Sequence, residues 1–279
     1  MDAAVWALAF TLLPWPERRK AEAWARAQAE EVLPQDRGEA EALAESLPTL
    51  RAEAAARGAR LVLPGDPEAD RFQAPLPYPL ALWVRGTLPP PRPALAMVGS
   101  RHGSFAGRER TRRWARELTE RGVAVISGLA RGIDGAAHLG ALEAGATWGI
   151  MGSGLDHPYP LEHQKLMDRM AATGGGVITP FPPQARPLKW HFPRRNVLLA
   201  VWTLGVIVME ARYASGSLVT AKLALDHGKE LWACPGAPED PLHEGPNRLI
   251  REGAARACLG PQDLIDDLSF WGQGLTNHP

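Results

Sequence analysis

From residue 94 onward, short apolar runs alternate with segments whose apolar residues recur at helical spacing. The runs "ALAMVGS", "VAVIS", "TWGIM", "GVIT", "GVIVME", "ELWACP" and "ARACL" predict seven strands. Helical patterns fall between them at 106–121, 133–144, 161–172, about 194–203, 217–228 and 245–252. Strands that are apolar throughout rather than every second residue are buried on both faces. The alternation therefore predicts an α/β domain with a doubly wound, mainly parallel sheet over residues 94–268. Ahead of it, residues 1–60 read as short helices, with Ala23, Ala27 and Val32 at helical spacing in "PERRKAEAWARAQAEEVL" and a similar pattern in "EAEALAESLPTLRAEAAARG". Residues 61–93 hold nine prolines, a density that excludes a regular interior element and predicts a Pro-rich connector or edge segment. Residues 269–279 form a short tail.

Composition narrows the class. With 279 residues, 45% hydrophobic and 22% charged, the chain suits a soluble protein of about two domains. The apolar stretch Trp6 to Leu13 is too short to span a bilayer and no cleavage pattern follows it, so no membrane contact and a cytoplasmic location are expected. Cys234 and Cys258 are the two cysteines, far apart and without ligands at metal spacing. Neither a disulfide framework nor a metal site is expected, and both read as small buried hydrophobes.

Net charge is zero but unevenly distributed: residues 94–235 carry seventeen basic and eleven acidic side chains, and residues 236–279 three and seven. Residues 169–209 contain Arg169, Arg186, Lys189, Arg194 and Arg195 and no carboxylate. Such a stretch attracts polyanions.

The unusual residues cluster at the ends of the strands, where ligands of doubly wound sheets bind. "MVGSRHGS", "SGLARGIDG", "MGSGLDHPYP" and "MEARYASGSLVT" all carry glycine with serine, arginine or both. Glycine admits a close ligand, and helix N-termini attract anions, so four such turns at one edge predict an anion-binding rim. The spacing of Gly128, Gly132 and Gly135 is GxxxGxxG, and no acidic residue about twenty positions on ends a second strand to take a ribose; both argue against NAD or FAD. Asp134 and His138 stand four apart, fitting either an acid–base pair or a helix-start carboxylate with a packing histidine. Glu210 at a strand end fits either a general base or a carboxylate accepting N–H groups of the next turn. In "KWHFPRR", Trp190 and Phe192 are interleaved with Lys189, Arg194 and Arg195. Aromatic faces among cations suit unpaired bases and their phosphates, so single-stranded nucleic acid is the expected ligand.

In order and spacing, "MVGSR", "ISGLARGIDGAAHLGAL", "GSGLDHPYP", "FPRRN", "MEARYASGSLVTAKLAL" and "CPG" followed by "GPNRLIREGA" resemble the DprA/Smf family of DNA-processing proteins over about residues 75–268. The resemblance implies an extended Rossmann-like domain preceded by a small all-α, sterile-alpha-motif-like (SAM-like) domain. It implies a homodimer without catalytic activity or cofactor that binds single-stranded DNA, protects it during natural transformation and loads RecA onto it. The DNA-contacting positions it implies are Ser100 and Arg101 of the GSR turn, Lys189 and Phe192, their neighbours Arg194, Arg195 and Asn196, and the main chain near Gly154. The rim would then hold backbone phosphates, with the 128–135 turn shaping the pocket.

Two departures concern details of that pocket: Asn196 and Val197 follow Arg195 where the family reads RNR, and Thr179 and Pro180 replace a Ser-Glu pair. After Leu268 too few residues remain for the winged-helix domain that other members append, which is either absent or removed. The dimer is expected at the last sheet edge through Leu249 and Ile250, because an edge strand with an apolar flanking helix invites a partner. The N-terminal helices or the Pro-rich segment covering that edge within one chain is the other arrangement. The alternative activity is that of the lysine-decarboxylase-like phosphoribohydrolases, which cleave nucleoside monophosphates. Their PGGxGTxxE signature is lacking in "GGGVIT" (174–179) and "SGSLVT" (215–220), since neither threonine is followed three residues later by glutamate.

Overall fold

The computed structural model describes residues 2–13, 15–69, 72, 76, 78–90 and 93–275, with side chains of the last helix through Leu268. Four helices come first: α1 Ala3–Leu12, α2 Glu17–Gln28, α3 Pro34–Ala44 and α4 Leu47–Ala56. Strands β1 Arg60–Val62 and β2 Leu82–Gly86 follow. The alternating region then runs β3 Ala94–Val98, α5 Phe105–Glu120, β4 Ala124–Ser127, α6 Ile133–Ala144 and β5 Thr147–Ile150. A 3-10 turn at Leu161–His163 leads into α7 Gln164–Ala172, β6 Gly176–Thr179, α8 His191–Val201 and β7 Gly205–Val208. The remainder is α9 Gly216–Asp226, β8 Glu230–Ala233, α10 Glu244–Arg251, β9 Arg256–Ala257 and α11 Pro261–Leu275.

The nine strands form one sheet in the order β1-β2-β6-β5-β4-β3-β7-β8-β9, parallel from β6 to β9. It is the doubly wound arrangement expected, and the seven strands read from the apolar runs are all present. The order reverses between β3 and β7, whose neighbours lie on opposite sides, so a crevice opens beyond Val98 and Val208.

Alternation along the strands feeds two helical layers. Leu95, Met97, Val125 and Ile207 pack with Trp114 and Leu118 of α5 and Ala137 of α6. Ala96, Ile126, Ile150 and Val206 face Leu198 of α8, Ala221 of α9 and the N-terminal helices. Cys234 and Cys258 are free and buried, and burial pushes both thiols up, Cys258 to about 12.

The N-terminal part holds two features the sequence pattern did not separate. Helix α1 is apolar all round because it is covered on two sides: Trp6 and Phe10 join the main core, while Ala7 and Leu8 pack with Leu61, Leu63 and Trp83. Within the Pro-rich segment, the proline-free "LALWVRGTL" supplies β2, antiparallel to both β1 and β6. That segment therefore extends the sheet rather than only linking two parts. Among the described residues no helix is long and apolar enough to cross a membrane.

Candidate nucleic-acid interface

At the crevice between β3 and β7 lies a cavity of about 390 Å³. Its walls come from the turns after β3, β4 and β7 and from the first turns of α8 and α9. The turn after β3 is locked to its neighbour: the Ser100 N–H donates to the Glu210 carbonyl (2.6 Å), and Ser217 Oγ donates to the Gly99 carbonyl (2.7 Å). Ser100 Oγ accepts the His102 N–H (3.1 Å), which turns Arg101 outward into solvent at the cavity mouth. Arg212 is likewise exposed, and the N-terminus of α9, with Ser215 at its cap, opens into the same space.

A second cavity of about 120 Å³ adjoins the first, sharing Arg101, Phe192 and Arg195. Phe192 lines both. Its ring is half-buried against Gly152, 5.4 Å from the Arg101 guanidinium and 5.6 Å from the Tyr159 ring. An arginine and a tyrosine thus flank a half-buried phenyl ring within about 6 Å, the components that grip a phosphate and stack a base.

The floor is buried. Arg195, 4% exposed, donates to the carbonyls of Gly128 and Ile150. Burial holds its guanidinium down at about 10, partly offset by Asp134, so it stays charged at neutral pH. Asp134 accepts the N–H groups of Gly128 (3.1 Å) and Ala130 (3.3 Å); its burial pushes the carboxyl up against the pull of Arg195. Positive φ at Gly132 (71°) lets the α6 N-terminus meet the Ser100–Arg101 backbone, where Ile133 N–H donates to Ser100 O (3.2 Å). The first turn of α6 is therefore occupied by protein, and the 128–135 loop shapes the pocket.

The acid–base candidates are each engaged within the fold. His138 is fully buried; its Nδ1 bonds Thr147 Oγ1 (2.9 Å), whose own proton goes to the Val125 carbonyl (2.8 Å), so Nδ1 carries the ring proton. Burial, with His163 and Arg195 nearby, pushes it down to about 3, leaving a neutral packing histidine. Glu210 accepts the Ser104 N–H (2.8 Å) and O–H (2.6 Å), and Ser104 Oγ in turn caps α5 by accepting from Gly107 N–H (2.8 Å). A Cβ at Gly107 would overlap the Glu210 side chain, so the glycine makes room for it.

Of the residues expected to touch DNA, Ser100, Arg101, Phe192, Arg195 and Asn196 are brought together around the cavity. Lys189 is exposed just before α8 and borders neither space. Two residues expected beside them lie away from both cavities. Arg194 turns to the other side of α8, donating to the Phe10 carbonyl (3.1 Å) and lying near Glu17, because successive helical residues point about 100° apart. Gly154 is buried, its N–H donates to Ala185 O (2.8 Å), and a side chain there would strike the Pro182 and Pro183 carbonyls, so the glycine permits close packing of this turn. Thr179, at the site of one departure, donates to Ser153 O (2.7 Å) and accepts the Phe181 N–H (3.1 Å), closing the turn after β6. Leu249 and Ile250 are half-buried against the main core of their own chain, whereas Leu259 beyond β9 is 77% exposed. Tyr159 and Arg212 were missed as individual residues, although both lie in turns whose glycines marked the rim.

The family model for DNA recombination-mediator protein A matches residues 69–269. The chain is 39% identical over 222 residues to Protein Smf of Escherichia coli, covering 78% of this chain and 59% of that protein. It is 37% identical over 193 residues to DNA processing protein DprA of Bacillus subtilis, covering 68% of this chain and 64% of that one. It thus spans about three fifths of the length of these two relatives. The X-ray structure of DprA from Streptococcus pneumoniae superposes with a TM-score of 0.76 at 28% identity, over 95% of this chain and 98% of that one. A structure of DNA processing protein A from Helicobacter pylori, described as giving insight into its single-stranded DNA binding mode, superposes at 0.63 and 27% identity, over 71% of this chain and 91% of that one. With the family's motifs assembled at the switch point of the sheet, the chain belongs to the DNA recombination-mediator protein A family.

Proposed function

We propose that this protein binds single-stranded DNA at the crevice between β3 and β7, without catalysing a reaction. Arg101 and the Ser100 turn take backbone phosphates, Phe192 stacks on a base, Lys189 adds charge outside the mouth, and buried Arg195 with Asn196 forms the wall. The observation that carries this reading is Phe192 lining both adjoining cavities with the Arg101 guanidinium over its ring and Tyr159 beside it. The Helicobacter pylori relative, described by its single-stranded DNA binding mode, supports the same ligand class. The side chains best suited to acid or base work are occupied: Glu210 by Ser104, Asp134 by two N–H groups, and His138 by Thr147.

The bound strand is protected and passed to RecA in transformation or recombination, and the protein acts as a homodimer. The edge at β9, with Arg256, Ala257 and Leu259 exposed, supports a second copy there, with Leu249 and Ile250 supporting that edge from behind. Gel shifts comparing single-stranded with duplex DNA, a nucleotide-hydrolysis assay and sedimentation test the ligand, the lack of catalysis and the dimer, and nuclease digestion and RecA-filament assembly on the bound strand test protection and transfer. Preference for the single strand, no hydrolysis and a dimeric mass are expected. Hydrolysis of nucleoside monophosphates would instead favour the phosphoribohydrolase activity.

A further inference from the structure

On the opposite side of the α8 N-terminus lies a cavity of about 480 Å³, between helices α1–α2 and residues 181–194. Its charge is unusual for a seam between packed elements. Lys20 is only 3% exposed yet borders the space, with its Nζ 3.2 Å from Glu17 and over the Tyr78 ring. Arg194, with 12% of its side chain exposed, shares the same Glu17 carboxylate at 3.8 Å, and its buried Nε has no hydrogen-bond partner. Tyr78 OH also donates to Glu17. One carboxylate thus answers two largely desolvated cations, and burial, with each cation's repulsion of the other, pulls the Lys20 ammonium down. Arg186 adds a third, exposed cation to the lining.

The same cavity presents an aromatic face. Trp190 is 57% exposed, although its ring is held edge-on to Phe181 (6.1 Å) and His191 (4.1 Å). A large ring fixed on one side and open on the other is a stacking platform. Trp190 and Phe192 are two residues apart, yet Trp190 borders this cavity and Phe192 the switch-point cavity. Exposed Lys189 lies next to Trp190 in the chain.

We infer that this cavity is a second nucleotide subsite, seating a phosphate against Lys20, Arg194 and Arg186 and a base on Trp190, so that a strand leaving the switch-point cavity crosses α8 onto the N-terminal helices. The inference rests on the proposed DNA binding at Phe192 and extends its length. Excess buried positive charge calls for an anion, the open indole for a flat ring, and the spacing of Trp190 only two residues from Phe192 for a polymer that reaches both cavities.

The test is a length series of labelled oligo-dT, from about four to about sixteen nucleotides, against the full chain. The variants are Trp190→Ala with Arg186→Ala, both at exposed side chains, Lys20→Met, and Arg101→Ala as the reference. Wild-type affinity is expected to step up once the oligonucleotide reaches the second cavity. The Trp190→Ala/Arg186→Ala protein should lose that step, at least about fivefold for long oligonucleotides, while binding short ones as the wild type does. Lys20→Met should act in the same direction, with thermal unfolding showing that the fold is retained. Arg101→Ala should weaken every length. If the double variant binds long and short strands like the wild type while Arg101→Ala does not, the second subsite is wrong and the first stands. Capture of a peptide ligand by this cavity with no length-dependent loss would likewise overturn it. If neither variant alters binding, the first reading fails and the second with it.

Discussion

Replacing Phe192 by leucine separates stacking from packing. The ring is half-buried over Gly152, and its working surface lies between Arg101, 5.4 Å away, and Tyr159, 5.6 Å away. Leucine keeps apolar bulk over Gly152 but has no π face for a base and none for the guanidinium. Loss of one stacked base costs ~1 to 3 kcal/mol. That loss lowers affinity for a short oligo-dT by about fivefold to somewhat over a hundredfold, whereas the contact with Arg101, already made in the free protein, counts toward folding at ~0.5 to 1 kcal/mol. The folding cost is smaller, because a near volume-conserving swap at a half-exposed position stays below ~1.5 kcal/mol. The melting temperature should therefore move by only a few degrees at most, about 2 to 4 °C per kcal/mol in a chain approaching this size. Fluorescence anisotropy with labelled oligo-dT, paired with thermal unfolding, reads both quantities. A large fall in melting temperature with full affinity in the remaining folded protein would make Phe192 a core residue and refute the stacking role.

Three further outcomes are expected. Arg101→Ala should flatten the dependence of log affinity on log salt, each lost phosphate contact removing a slope of about 0.7, and an unaltered slope would show that Arg101 touches no phosphate. Buried His138 titrates at about 3 instead of 6.5, so its contribution to stability is complete above pH 6.5 and is lost as pH falls toward 3, because the unfolded chain takes the proton first. Between pH 7 and pH 5 urea unfolding should show a loss of about 2 kcal/mol that is missing in His138→Gln; equal losses in both would contradict the buried neutral ring. Gly154→Ala should destabilise by about 1 to 3 kcal/mol, through overlap with the Pro182 and Pro183 carbonyls, and a melting temperature equal to wild type would show that this turn has room to spare.

What the sequence disclosed follows from how strongly each feature is constrained. Seven strands were legible because a parallel strand covered on both faces must be apolar throughout, as "GVIV" and "VAVIS" are. The cavity rim was legible because strand-end glycines marked all four turns. Helix α1 carried no helical period, since a rod buried on two sides has no polar face to reveal it. Strand β2 was hidden by the prolines flanking it. Arg194 and Arg195 could not be told apart because adjacent cations in one helix turn differ only in direction, and direction depends on where α1 and α2 sit. The close packing around Gly154 was hidden for a related reason: a glycine needed for close packing looks the same in sequence as one that clears the way for a ligand.

The antiparallel pairing of β2 with β6 bears on how such proteins can be taken apart. Residues 83–86 pair along β6, and β1 and the N-terminal helices cover Leu82 and Trp83. A shortened protein beginning at Ala94 would leave the β6 edge unpaired, a template for association between molecules. Exchanging N-terminal parts between relatives would therefore succeed only if the cut fell after Gly86, so that the incoming piece brought its own two strands to close the sheet.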